Sequence, residues 1–145
     1  MIKKGGFLIS QISRLQARVF ERMLKESGID AFNGAQGRIL YVLWEYGKLS
    51  ITEISRLTSL SKTTLTSMLD RMEGSGLVKR IPDPGNRRQI HIVITEKARA
   101  CRDEYQRISG QMNEVFYQGF AEDEVAEFEK KLTEIMRNLE RQAGI

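Results

Sequence analysis

Cysteine is nearly missing from this chain. Its 145 residues hold one, Cys101, so no internal disulfide can form, which suits a reducing compartment. Histidine is equally scarce: His91 stands alone, and without a Cys/His cluster a zinc site of the usual nitrogen and sulfur ligands is not expected. No apolar run approaches the length of a membrane span. The start, MIKKGGFLIS, has two lysines, but the apolar stretch after them is short and is broken by Gln11 and Arg14. It lacks the apolar core and small-residue cleavage site of a secretion signal, and a cytoplasmic protein is expected. Also missing are a nucleophile paired with a base, a phosphate-binding glycine loop and a dinucleotide fingerprint. One histidine and one cysteine on different elements make a poor catalytic dyad. The chain therefore reads as a non-enzyme with no catalytic residue, no metal and no cofactor.

What is present is ordinary for a soluble globular protein, with 41% hydrophobic and 29% charged residues. A chain of this length buries a working core without disulfides or metals. The net charge of +4 is modest, but it is unevenly placed. Residues 1–35 carry six Lys/Arg against three acids, residues 36–99 eleven against six, and residues 100–145 six against ten. A basic centre beside an acidic C-terminal stretch fits a molecule in which one part meets phosphates and another does not.

Apolar periodicity sets out the elements. Ile9, Ile12, Leu15, Val19 and Met23 recur at spacings of three and four, which predicts an amphipathic helix over about 8–27 closed by a left-handed cap at Gly28. Asn33 is placed to cap a second helix, with Ile39, Leu40, Leu43 and Trp44 on one face and Gly47 at its end. Ser50 and Glu53 have capping-box spacing before a short helix with Ile54 and Leu57 inward. After the break Thr58-Ser59-Leu60-Ser61, Ser61 caps a helix whose apolar positions are Leu65, Met68, Leu69 and Met72. Two short helices with a tight, plugged turn between them make a helix-turn-helix. Past Gly76 the period changes: Leu77–Ile81 and Gln89–Ile94 read as two strands around Pro82-Asp83-Pro84-Gly85-Asn86-Arg87-Arg88, a hairpin with a long basic tip. Thr95 then caps one long helix with Ala98, Cys101, Tyr105, Ile108, Met112 and Val115 inward. A break near Gly119-Phe120 leads to a last helix whose Val125, Phe128, Leu132, Ile135 and Leu139 match a heptad seam. The predicted fold is mainly α with a small β-hairpin wing. The first and last helices are more apolar than a domain of this size needs for its own core.

The candidate site lies on the second helix of the motif. Opposite its buried stripe it shows Lys62, Thr63, Thr64, Thr66, Ser67 and Arg71, a hydroxyl-rich surface with a cation at each end. Short Ser/Thr side chains let a helix seat deeply in a major groove and donate to phosphates and base edges. A merely solvated helix face is also polar, and it is the capped helix before and the hairpin after that favour DNA. Arg87 and Arg88 on the hairpin are candidates for a minor groove, with Asp83 holding one guanidinium in direction. The acidic run Glu122-Asp123-Glu124 sits at a helix start, where the macrodipole favours carboxylates, and reads as capping.

The run ITEISRLTSLSKTTLTSMLDRMEGSGLVKRIPDPGNRRQIHIVITEKA resembles the DNA-binding core of the MarR family (multiple antibiotic resistance regulators). The resemblance is carried by Leu69-Asp70-Arg71-Met72-Glu73, by Gly76-Leu77-Val78, by the Asp-Pro…Arg-Arg wing and by Thr95-Glu96-Lys97, and the flanking helices fall in the family's order. It implies a winged helix-turn-helix of about 33–98 within one chain of 1–145, flanked by dimerisation helices at about 7–28 and 99–143. It further implies a homodimer on a pseudo-palindromic double-stranded operator, with repression relieved by a small, often aromatic effector. Three positions depart from the family: Asn86 stands where many members have an acid, Ser67 where several have a longer basic side chain, and Ala98 where glycine is common. Phe7, Phe20, Trp44 and Tyr105 are aromatic enough to line an effector cleft, although aromatics on helical stripes are more often core. Two other readings stay open, a winged-helix protein–protein module and a thiol sensor working through Cys101, which is expected to be a buried, inert cysteine.

Overall fold

A computed structural model describes residues 1–144, with the side chain of Arg87 outside the described set. The chain divides into two compact units, Met1–Gly110 and Gln111–Ile145.

The first unit opens with α1 (Gly5–Glu26). Gly28, at φ 74°, takes the left-handed position that stops it. The Ile29 N–H reaches the Leu24 carbonyl at 2.9 Å and the Gly28 N–H reaches that of Lys25 at 3.0 Å, the paired closure of a Schellman end. Both apolar partners of that closure, Leu24 and Ile29, are buried. Helix α2 (Gly34–Tyr46) begins at Asn33, whose side chain and Gln36 exchange hydrogen bonds with each other's backbone at 2.8 and 3.1 Å. The Glu21 carboxylate of α1 also accepts from the Gly34 N–H, tying the start of α2 to its neighbour.

Leu49–Ser50 form a two-residue strand, β1, that periodicity had not suggested. It pairs with the distant Ile92 and His91. Then come α3 (Ile51–Thr58), α4 (Lys62–Gly74), β2 (Val78–Asp83) and β3 (Asn86–Ile94), and the sheet order is β1-β3-β2. Leu40, Ile54, Leu65, Leu69, Met72, Leu77 and Ile92 share one core and are each fully buried. Met68, expected inward, packs at its edge.

The hairpin differs from the expected one. The strands continue to Asp83 and restart at Asn86, which leaves only Pro84-Gly85 as the turn. Pairing runs regularly from Val78↔Ile94 to Pro82↔Ile90 and then jumps to Asp83↔Asn86. Arg87, Arg88 and Gln89 are thus left without cross-strand partners in a bulge of β3. The long basic tip of the sequence reading is a short turn followed by a basic bulge.

The expected single helix after Thr95 is interrupted. It comprises α5 (Glu96–Ala100) and α6 (Arg102–Phe116), with a turn at Cys101. The Ala98 carbonyl explains the break, since it accepts both the Cys101 N–H at 3.1 Å and the Trp44 indole N–H at 3.1 Å. Val115, expected on the inward stripe, is 52% exposed.

In the second unit, α7 (Glu122–Ala143) starts with Glu124 accepting from the Ala121 N–H at 2.9 Å. Its seam is open to solvent at Phe128, Ile135 and Leu139. In the first unit, α1 likewise exposes Phe7, Leu8, Ile9, Ile12 and Leu15. Contiguous apolar surface of this kind marks an interaction face rather than a finished monomer.

Candidate nucleic-acid interface

The site is built from α3, the turn after it, α4 and the β2–β3 wing. Helix α3 is fixed by reciprocal bonds, Glu53 N–H to the Ser50 hydroxyl and Ser50 N–H to the Glu53 carboxylate, each 3.1 Å. The Ser50 backbone N–H, and after it the Ser50 hydroxyl, holds the Glu53 carboxyl below its ordinary pKa. Hydroxyls also wire the turn. Thr58 donates to the Ile54 carbonyl at 2.7 Å and Ser55 to that of Leu60 at 2.6 Å. Ser59 occupies the left-handed region at φ 59°, the one described non-glycine residue to do so. The sequence reading located this turn but not the Ser55 and Thr58 bonds, although both are local, spanning five and four residues.

Ser61 begins α4 by accepting from the Thr64 N–H at 3.2 Å. With Leu65, Leu69 and Met72 fully buried, the helical period places Thr63, Ser67, Asp70 and Gly74 along the middle of the outward arc. Lys62 and Thr66 flank that arc on one side, Thr64 and Arg71 on the other. All six residues singled out from the sequence are exposed. Four of them, Lys62, Thr63, Thr66 and Ser67, join Asp70 around a shallow concavity of about 430 Å³. Thr64 and Arg71 lie outside it. The Thr64 hydroxyl accepts from that of Ser61 at 3.0 Å, which gives it a role in the cap.

Arg80 was missed in the sequence reading. Its guanidinium spans two carboxylates of α4, at 2.7 Å from Asp70 and 2.8 Å from Glu73. Its backbone N–H adds a third bond, to Glu73 at 3.2 Å. The available signal was two acids three residues apart on a helix, followed by an arginine among strand residues.

In the wing, Asp83 accepts from the Gly85 N–H at 2.9 Å and so shapes the turn. Its other oxygen lies 4.0 Å from His91 Nδ1, a buried atom with no hydrogen-bond partner among the described residues. The sequence reading had Asp83 direct an arginine; among the described residues its side chain accepts from the Gly85 N–H. Arg88 is exposed, with its backbone N–H donating to the Asn86 side chain at 3.1 Å. The Arg87 side chain lies outside the described residues.

Two secondary candidates also have definite surroundings. Tyr105 sits among Trp44, Phe20, Phe32 and Tyr41, with ring centres 5.2 to 6.3 Å away. It also packs against Gly37 so closely that an added Cβ there would stand 2.7 Å from the ring. Phe20, Trp44 and Tyr105 are thus brought together, whereas Phe7 is 66% exposed and stands apart. Cys101 is part-buried rather than fully buried, and its thiol reaches the Lys97 carbonyl at 3.3 Å. Burial, and then the nearby Glu104, raises its pKa, which disfavours the reactive thiolate.

Residues 32–90 match the MarR family model. The chain is 31% identical over 100 residues to the uncharacterized HTH-type transcriptional regulator YsmB of Bacillus subtilis, an alignment that covers 68% of each protein. This chain belongs to the MarR family. The HTH-type transcriptional repressor IacR of Pseudomonas putida is 28% identical over 95% of this chain and 83% of its own length. Among solved structures, a mutant MarR from E. coli complexed with operator DNA superposes with a TM-score of 0.80 at 26% identity, covering 90% of this chain and 91% of that one. The winged helix of this MarR-family chain is thus shown by sequence and by shape alike. No described helix is long and apolar enough to cross a membrane.

Proposed function

We propose that this MarR-family chain is a cytoplasmic homodimeric transcriptional repressor, released from its operator by a small effector. The observation that carries the reading is the outward arc of α4. Lys62, Thr63, Thr66 and Ser67 gather around one shallow concavity, opposite a fully buried apolar stripe. Such a face donates to base edges and phosphates without the bulk that would hold a helix out of the major groove. Lys62, Thr63, Thr66 and Ser67 take the base edges and nearest phosphates, while Thr64 and Arg71 flank them. Arg88, in the bulge of β3, and its neighbour Arg87 are the wing contacts, and Asp83 keeps the turn that presents them. Shape similarity to a MarR solved on operator DNA supports the same partner.

The exposed apolar stripes of α1 and α7 support a second copy as dimerisation partner. For the effector no site residue is proposed, since Phe20, Trp44 and Tyr105 pack together against the core. No residue is proposed to be catalytic. A protein–protein module has no need of both a basic recognition face and a basic wing. A thiol sensor is disfavoured by the surroundings of Cys101.

The test is binding of the purified chain to duplex from the region upstream of its own gene, against scrambled duplex. Tight binding to the first at one dimer per site, falling steeply with salt, is the expected result. Equal weak binding to both would count against autoregulation, and absence of salt dependence would count against DNA as the partner.

A further inference from the structure

The three bonds of Arg80 do more than decorate a surface. Arg80 lies on β2 opposite Ile92, a fully buried core residue. Its side chain is 21% exposed, whereas Asp70 and Glu73 are 66% and 43% exposed. The acids stand three residues apart on one face of α4, so one planar guanidinium can engage both at once. Among the described residues, Arg80 is the wing residue whose hydrogen bonds reach α4 side chains. Asp70 also lines the concavity of the proposed DNA-facing surface. A face built for phosphate attraction alone has no use for a carboxylate there.

We propose that Arg80 is a positioning residue: by bridging Asp70 and Glu73 it sets the angle between recognition helix and wing, so that both engage one duplex together. The proposal rests on the DNA-binding reading above. It predicts a sign that plain electrostatics does not. Removing two negative charges from a DNA-facing surface should tighten binding if charge alone matters. If the bracket positions the wing, the same change weakens binding because Arg80 is released.

The experiment uses a duplex selected by the wild-type protein from a random-sequence pool, and compares wild type with Asp70→Asn/Glu73→Gln and Arg80→Lys at matched salt. Both variants are expected to bind about tenfold more weakly, equivalent to ~1.4 kcal/mol, and to lose footprint protection at the wing while remaining folded dimers. Arg80→Lys keeps the charge, but a compact ammonium does not span both carboxylates in the same geometry. Unchanged or tighter binding by the double variant overturns the proposal. Should the double variant fail to fold, Arg80→Lys carries the test alone, and wild-type affinity from it overturns the proposal. If the wild type selects no duplex, the DNA-binding reading itself fails and the proposal falls with it, a result separate from any difference between variants.

Discussion

Two residues three positions apart on α4 separate what holds the helix from what the helix is for. Leu69 is fully buried in the core, while Thr66 is exposed beside the concavity. Leu69→Ala removes three heavy atoms and leaves a cavity its neighbours fill only in part, at a cost of about 2.7–5 kcal/mol. Against a total stability of roughly 5–15 kcal/mol this is a large fraction. The melting temperature of a chain this size should fall by roughly 5–20 °C. Thr66→Ala, on the solvent side, should stay within about 0.5 kcal/mol of wild type. The assay is urea unfolding at fixed chain concentration, since dimer formation makes apparent stability depend on it, together with operator binding for both variants. Thr66→Ala should lose affinity without losing stability. Leu69→Ala should lose stability, and should bind normally wherever it is folded. A loss under ~1 kcal/mol for Leu69→Ala, or a destabilised Thr66→Ala with intact affinity, would refute the assignment of inner and outer faces.

Arg88→Ala should weaken operator binding while sedimentation still shows a dimer. If each copy loses one phosphate contact, the slope of log affinity against log salt should shrink by about 1.8 per dimer. Glu53→Ala should cost about 0.5–1 kcal/mol at neutral pH through loss of the capping box. Because the folded-state pKa of Glu53 is depressed, its contribution is full above the ordinary glutamate range near pH 4.3 and fades as pH falls through the folded value. The gap between wild type and variant should therefore narrow on acidification, and a constant gap would contradict the assignment. Tyr117 donates to Glu129 at 2.6 Å, and burial followed by that bond pushes its phenol up to about 12. An ultraviolet titration should show a late-ionising tyrosine that disappears in Tyr117→Phe.

Much of this was legible in the sequence where the governing chemistry is local. Asn33, Ser50, Ser61 and Thr95 all cap helices as expected, because a cap needs only a side chain and the next three residues. The inner stripe of α4 was legible for the same reason. Most of what escaped depends on distant partners. Strand β1 exists because Leu49 meets Ile92, forty-three positions away. The bulge at 87–89 is a matter of register between two strands, which alternation within one strand does not report. The turn at Cys101 arises from the Trp44 indole claiming the Ala98 carbonyl. Arg80 looked like one more surface cation until α4 and β2 were brought side by side. In the candidate site, every α4 residue named from sequence is exposed, but Thr64 and Arg71 stand outside the concavity that the other four share with Asp70.

The central claim is that the outward arc of α4 enters the major groove, once per half-site of a two-fold operator. Gly74 lies on that arc, and an added Cβ there meets nothing within 4 Å, so a cysteine at this position is tolerated. On a Cys101→Ser background, Gly74→Cys carries a single tethered iron chelate that cleaves nearby DNA. Two clusters of cuts about 10 base pairs apart, symmetric about the operator centre and facing the major groove, are the predicted result. A bound protein that leaves diffuse cuts, or cuts confined to the minor groove, would contradict the claim.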